Sequence, residues 1–456
     1  MKCLDLTRLL LTVILLGVAT LRAERITLPL QDDWRFTKKL AAPNTPVEGW
    51  EKISVPHTWN AVDVLDGRKN IRTVFQTREE AMADGRARMA ARKKSDDPSI
   101  EFGYYRGACW YSRSLEIPAE WKGRKRVFVR FGAANSVART YINKKLLGEH
   151  RGGFTAFCYE LTDFLNYGGK NELRVQVDNS QRDDLAPLSA DFDQFGGLYR
   201  GVELIVTDEI CISPLDYASP GVYLTTTSLD DAQAEVEVRT IVSNGNEAEQ
   251  WKRPPAPIPV TVQTDIKDAA GVVVAHDSTV REVPADLTES VTQKLRISKP
   301  RRWNGRKDSY LYSVTVSVFC GDRMVDQVSQ QLGLRTVAIT QEEGFLLNGQ
   351  PYPVHGVNRH QDVRGKGWAI TPADEERDLK IISEMGVTAI RDAHYPQSEN
   401  WHRLADRDGQ LIWDEVSNVD ATRGTRAFWL NSEEMLREMI HQLYNHPSIA
   451  WWGMFN

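Results

Sequence analysis

From Ile26 to about Thr207 apolar and polar positions alternate in short runs, among them RVFVRF (126–131), RTYINKKLLG (139–148) and ELRVQVDN (172–179). A period of two is that of a strand with one buried face. Turn residues punctuate the runs at Asn143, Gly152-Gly153, Gly168-Gly169 and Gly196-Gly197. Many short strands with little helical period predict a β jelly-roll sandwich. TREEAMADGRARMAARKKSDDPS (77–99) breaks the pattern and reads as an exposed, charged insertion between strands. From about Ile212 to Arg335 the alternation continues in AEVEVRTIV (234–242), PVTVQTDI (259–266) and YSVTVSVF (312–319). That stretch predicts an immunoglobulin-like β-sandwich, without the Cys–Trp–Cys pattern of antibody domains.

After Leu346, Asn348 and Gly349 the period changes, and strands alternate with helices. PVHGVN (353–358), VTAIRDA (387–393), QLIWDEV (410–416) and IAWWGMFN (449–456) read as strands. Residues 371–386 read as a helix capped by Thr371, with Pro372 first, Asp374 three residues past the cap and Gly386 as its stop. Residues 398–409 and 431–446 read as two more helices. Repeated βα units predict a parallel sheet under helices, and four of the eight units of a TIM (β/α)8 barrel are present. The expected organisation is a jelly roll over 24–208, an immunoglobulin-like sandwich over 209–335, and the first half of a TIM barrel over 336–456. The nearly apolar run at 449–455 needs neighbours on both sides, so the chain reads as truncated within the barrel.

Residues 1–23 stand apart. MKCLDLTR, an apolar core and LRA before Glu24 form a cleavable signal peptide, too short for a comfortable membrane span. The expected location is secreted or periplasmic. Cleavage leaves Cys109, Cys158, Cys211 and Cys320, scattered and without CxxC spacing, which reads as buried thiols with room for one disulfide and no metal cluster. The net charge of −5 argues against nucleic acid or an anionic membrane as partner. Thirteen Trp suit a core, and flat indole faces also suit sugar rings.

A TIM barrel builds its site at the C-terminal ends of its strands. That rule selects Asn358, Arg359 and His360, then Arg391, Asp392 and His394, then Asp414 and Glu415, then Asn456. Neutral polar groups and imidazoles hydrogen-bond sugar hydroxyls, and an Arg orients a carboxylate. Each has a duller reading too: a structural His, a loop-capping Asp414, a plain Arg391–Glu415 salt bridge.

Several stretches resemble glycoside hydrolase family 2, the β-galactosidase and β-glucuronidase family. VPHTWN (55–60), YYRGACWYSR (104–113), RVFVRFGAANSVARTYINKKLLGEHRGGFTAF (126–157), VDNS (177–180) and DFDQFGGLYRGVEL (191–204) resemble its sugar-binding jelly roll. LGLRTV (332–337) and FLLNGQPYPVHGVNRHQD (345–362) resemble its junction into the barrel. GVTAIRDAHYPQ (386–397), QLIWDEV (410–416) and NHPSIAWWGMFN (445–456) resemble its barrel signatures. The resemblance implies a retaining exo-β-glycosidase, most simply a β-galactosidase, that removes terminal non-reducing sugars by double displacement between two Glu. The acid/base Glu is expected directly after Asn456 and the nucleophile further on, so no catalytic carboxylate is expected here and the chain alone is expected to be inactive.

The resemblance further implies that Asn456 meets the sugar 2-hydroxyl. Arg391 and His394 would lie beside nucleophile and substrate, and His360 would contact substrate. Glu415 matches the acidic residue after the third strand, and Asp191 matches a jelly-roll Asp reaching the sugar. Two features depart from the family pattern. Asp392 adds an unusual charge beside Arg391, and VSNVDATRG (416–424) lacks the Glu-x-His of magnesium-binding members, so neither metal nor cofactor is expected. β-Glucuronidase, β-mannosidase and a non-catalytic carbohydrate-binding product are the alternatives. The expected partner is an oligosaccharide or glycan, and a homo-oligomer is compatible with the sequence.

Overall fold

The computed structural model describes residues 25–39, 41–61, 100–101, 104–188, 190, 192–245 and 257–456. The leader at 1–23, the insertion at 77–99 and Asp191 lie outside the described residues.

The jelly roll packs a four-stranded against a six-stranded antiparallel sheet. Alternation places Val127, Val129 and Phe131 of one sheet against Leu173, Val175 and Val177 of the other, all buried. RTYINKKLLG turns at Asn143, as its turn residue suggests, between the strands Val137–Ile142 and Lys145–Arg151. Asn143 and Lys144 take positive φ (49° and 70°) between them, as a two-residue hairpin turn with matching twist requires.

The second unit is a sandwich of two four-stranded sheets, 210–212, 222–229, 233–244 and 288–298 against 258–267, 273–283, 312–320 and 323–332. Its core is a Val-rich interleaving that includes Val236, Val238, Val262, Val314 and Val316. Cys109, Cys158, Cys211 and Cys320 are all free thiols, and burial pushes the Cys158 thiol up to about 12, so they are packing residues rather than reactive ones.

The third unit alternates β1 (Gly356–Arg359), α1 (Pro372–Glu384), β2 (Ala389–Asp392), α2 (Glu399–Asp408), β3 (Leu411–Glu415), α3 (Arg426–Leu443) and β4 (Ile449–Gly453). The strands form one parallel sheet in sequence order. Val357, Ile390, Ile412 and Ile449 form a row in register against Leu379, Trp401, Leu404, Met439 and Leu443 of the helices. The α1 cap is a full capping box between Thr371 and Asp374. α2 starts on Ser398 and ends on Gly409 at φ 73°.

Two expectations need correction. α3 begins at Arg426, not near Asn431, because Thr425 caps it and Phe428 anchors its first turn in the core. The last strand ends at Gly453, and Trp452, Met454 and Phe455 are exposed.

The barrel helices dock on the other two units. Glu438 of α3 takes bonds from His150 Nε2 at 2.9 Å and Thr155 Oγ1 at 2.5 Å. Arg200 of the jelly roll donates to the Phe154 carbonyl, to Gln361 Oε1 and to the Pro396 carbonyl at 2.7, 3.0 and 2.8 Å. Trp368 sits among Phe154, Phe195, Tyr199 and Tyr395. This seam fixes the jelly roll over the strand ends.

Candidate active site

Arg391 stands near the end of β2 on the face away from the helices. Its Nε and Nη2 donate to Glu415 Oε2 and Oε1 at 3.1 and 2.7 Å, a two-pronged clasp across to the end of β3. Nη2 also reaches Asn456 Oδ1 at 2.6 Å. His394 Nδ1 lies 2.9 Å from Glu415 Oε1 and, when protonated, donates to it. Glu415 is 1% exposed, while Arg391 and His394 keep 23% and 13% of their side-chain surface. The acid is therefore sealed below, and the two nitrogen-bearing side chains face outward. Asn456 is held by its own backbone N–H to the Asn418 carbonyl at 3.0 Å, and Asn418 in turn bonds the Met454 carbonyl and Ser432.

His360 enters from the loop after β1. Its Nδ1 is 3.2 Å from the Tyr395 hydroxyl, and its ring centre is 5.5 Å from that of His394. Tyr395 is fixed from below by stacking on Phe154 at 4.2 Å and 2°. The jelly roll contributes Phe192, with its ring centre 5.2 Å from His360 and 5.9 Å from His394. Trp413 of β3 lies under the Arg391 guanidinium at 5.8 Å. The result is a polar floor of one cation, one carboxylate, one amide and two imidazoles with aromatic walls. Such a floor can hold a ring of hydroxyls and stack its C–H face.

Of the residues singled out from the sequence, Asn456, Arg391, His394 and Glu415 converge in one hydrogen-bonded group, and His360 adjoins it. Asp191 lies outside the described residues, although its neighbour Phe192 is at the site. Arg359, Asp392 and Asp414 are not in the mouth. They point to the helix layer, where Arg359 covers the Trp401 ring at 3.9 Å and pairs with Asp378 at 2.9 Å. The charge beside Arg391 is thus turned to the other side of the strand. Phe192 and Trp413 were not picked out beforehand. The position of Trp413 two residues before Glu415, on the same face of β3, was the available signal.

Three family profiles match in chain order: "Glycosyl hydrolases family 2, sugar binding domain" over 94–208, "Glycosyl hydrolases family 2" over 221–335, and "Glycosyl hydrolases family 2, TIM barrel domain" over 337–456. A β-glucuronidase of Bacteroides fragilis is 38% identical over 452 residues, covering 97% of this chain and 58% of that protein. A β-galactosidase of Thermoanaerobacter pseudethanolicus is 30% identical, covering 77% of this chain and 44% of that one. The crystal structure of Bacteroides uniformis β-glucuronidase superposes with a TM-score of 0.81 at 31% identity, over 95% of this chain and 47% of that one. The fold and the site are those of a jelly roll and an immunoglobulin-like sandwich leading into a TIM barrel with a polar mouth. The chain belongs to glycoside hydrolase family 2. It spans about half the length of the curated relatives it matches.

Proposed function

We propose that the protein is the substrate-holding portion of a retaining exo-β-glycosidase that removes terminal, non-reducing β-linked sugars from oligosaccharides or glycans. The Arg391–Glu415 clasp, joined by His394 and Asn456 at the strand ends, carries this reading. In it Asn456 binds a ring hydroxyl, Arg391 and His394 orient a neighbouring carboxylate and the sugar, and His360 closes the rim. In this reading the part of these residues is binding and positioning.

A β-galactoside is the substrate read from the sequence. A β-glucuronide is the second reading, favoured by the 38% identical relative of that name. The full-length protein encoded by the gene, assayed side by side on chromogenic β-D-galactopyranoside and β-D-glucuronide, separates them. Turnover of one tenfold or more above the other assigns the sugar, and turnover of neither leaves a β-mannosidase or a carbohydrate-binding product. The leader at 1–23 supports export, and a mature N-terminus at Glu24 would be its mark.

A further inference from the structure

Asp392 and Asp414 are register partners on β2 and β3, and both face the helix layer. Both are fully buried, and two carboxylates side by side in a dry interior repel each other strongly. α2 supplies one group between them, the equally buried His402. Its Nδ1 lies 2.8 Å from the Ser398 carbonyl oxygen, which only accepts, so Nδ1 carries a proton. Its Nε2 lies 2.9 Å from Asp414 Oδ2 and 3.5 Å from Asp392 Oδ2. Contact at 2.9 Å requires a proton on that line as well. Trp401 Nε1 donates to both oxygens of Asp392 at 3.0 Å, and the Glu415 backbone N–H donates to Asp414 Oδ1 at 3.1 Å.

We propose that Asp392, His402 and Asp414 form a proton-bound clamp behind the mouth, and that His402 is thereby a positioning residue for the Arg391–Glu415 pair. The clamp joins the two strands one residue from each member of that pair: Arg391 precedes Asp392, and Glu415 follows Asp414. It rests on the proposed function only in taking Arg391 and Glu415 as part of the sugar site.

The electrostatics agree with the geometry. Burial alone lowers the His402 pKa, but the hydrogen bond and charge of Asp414, with the charge of Asp392, outweigh it and raise the value. Burial first, then the charge of Asp414, pushes the Asp392 carboxyl up to about 8. Arg359 on β1 opposes that rise, and the His446 ring, 5.3 Å from His402, opposes protonation of His402. His446 is itself tied to Asp406 of α2 at 2.6 Å, with Glu399 and Arg403 of the same helix acting on it in opposite senses. Asp378 on α1 is taken up by Arg359. Asp392 and His402 are both raised, so the folded protein holds more protons at them than the unfolded chain. For Asp392 the folded state is favoured most below the ordinary carboxyl pKa of about 4, and that advantage declines as pH rises from there to about 8.

The three ligand-type atoms lie within 4.8 Å of one another, so a divalent cation is the rival occupant. The Nε2–Oδ2 contact at hydrogen-bond length favours the proton.

The test is a titration of the 456-residue chain, labelled with ¹⁵N in its His rings and Trp indoles, from about pH 5 to about pH 10 by NMR. Both His402 nitrogens should be protonated at neutral pH. The His402, Trp401 and Trp413 resonances should then move with one shared midpoint. Asp392→Asn should lower that midpoint by about one unit or more, with Trp413 following. If that variant does not fold, Trp401→Phe removes the donors to Asp392 and should raise the midpoint instead.

Three results overturn the proposal: a bare Nε2 at neutral pH, a Trp413 signal indifferent to the titration of His402, or a stoichiometric divalent metal in the purified chain. None of these readouts involves a sugar, so failure of the glycosidase reading leaves them intact, and the reverse also holds.

Discussion

Arg391 satisfies three acceptor atoms with one planar group: two oxygens of Glu415 and one of Asn456. Removing it leaves a carboxylate that is 1% exposed with, among the described residues, only His394 bonded to it. Arg391→Ala should therefore cost about 3 kcal/mol, read from the shift of the urea unfolding midpoint at constant slope. Arg391→Lys should recover only part of this, because a point charge cannot fork across both oxygens. Trp401→Phe keeps the ring under Arg359 but strips Asp392 of its indole donor, and should cost about 1–2 kcal/mol in the same measurement.

Among the elements, α1 shows how a helix end converts sequence into pH sensitivity. Asp374 accepts from the Thr371 backbone and hydroxyl and from Lys366 Nζ. Burial raises its pKa, but the bonds from Lys366 and Thr371 prevail and bring it down to about 2. A depressed carboxyl stabilises above its ordinary pKa of about 4 and loses that contribution as pH falls towards 2. Asp374→Asn should flatten the acid limb of a stability–pH curve in that window.

Two helix-ending glycines make a sharper contrast. Gly386 (φ 78°) has open space where a Cβ would sit, whereas at Gly409 (φ 73°) a Cβ would meet the Gly305 backbone at 2.3 Å. Gly386→Ala should cost about 1 kcal/mol from the left-handed backbone alone. Gly409→Ala should cost clearly more, because the 302–306 loop cannot recede without moving the sandwich. Thermal melts of the two variants check this.

At the scale of the whole molecule, Arg200 is the hinge pin between jelly roll and barrel. Its three bonds go to Phe154, Gln361 and Pro396. Pro396 belongs to the loop that also carries His394, and Gln361 follows His360. Arg200→Ala should cost about 2–4 kcal/mol and turn a single calorimetric transition into a broadened or split one, as the two units lose their coupling. A single sharp transition at the wild-type temperature would show that the aromatic seam around Trp368 holds them unaided.

The sequence by itself determined the periods, and through them the classes of element and their order. Alternation marks Val127, Val129 and Phe131 or Val236 and Val238 as one face of a strand whatever else surrounds them. The caps at Thr371 and Ser398 and the stop at Gly409 are equally local, because they satisfy backbone groups within a few residues. The strand-end rule selected Arg391, His394, Glu415 and Asn456, which the fold groups together, but equally Arg359, Asp392 and Asp414, which it turns to the helices.

Which face of a parallel strand meets the helices was beyond it. Such strands are buried on both sides, so AIRD and LIWDE carry no alternation to orient them. Only the register of β2 between its neighbours turned Arg391 to the mouth and Asp392 to α2. Tertiary packing likewise brought Phe192 in from the jelly roll. It also placed His402 between two acids that lie 10 residues before it and 12 after it in the chain. Contacts between distant segments leave no period in the sequence, because each partner is chosen by where the other segment is folded.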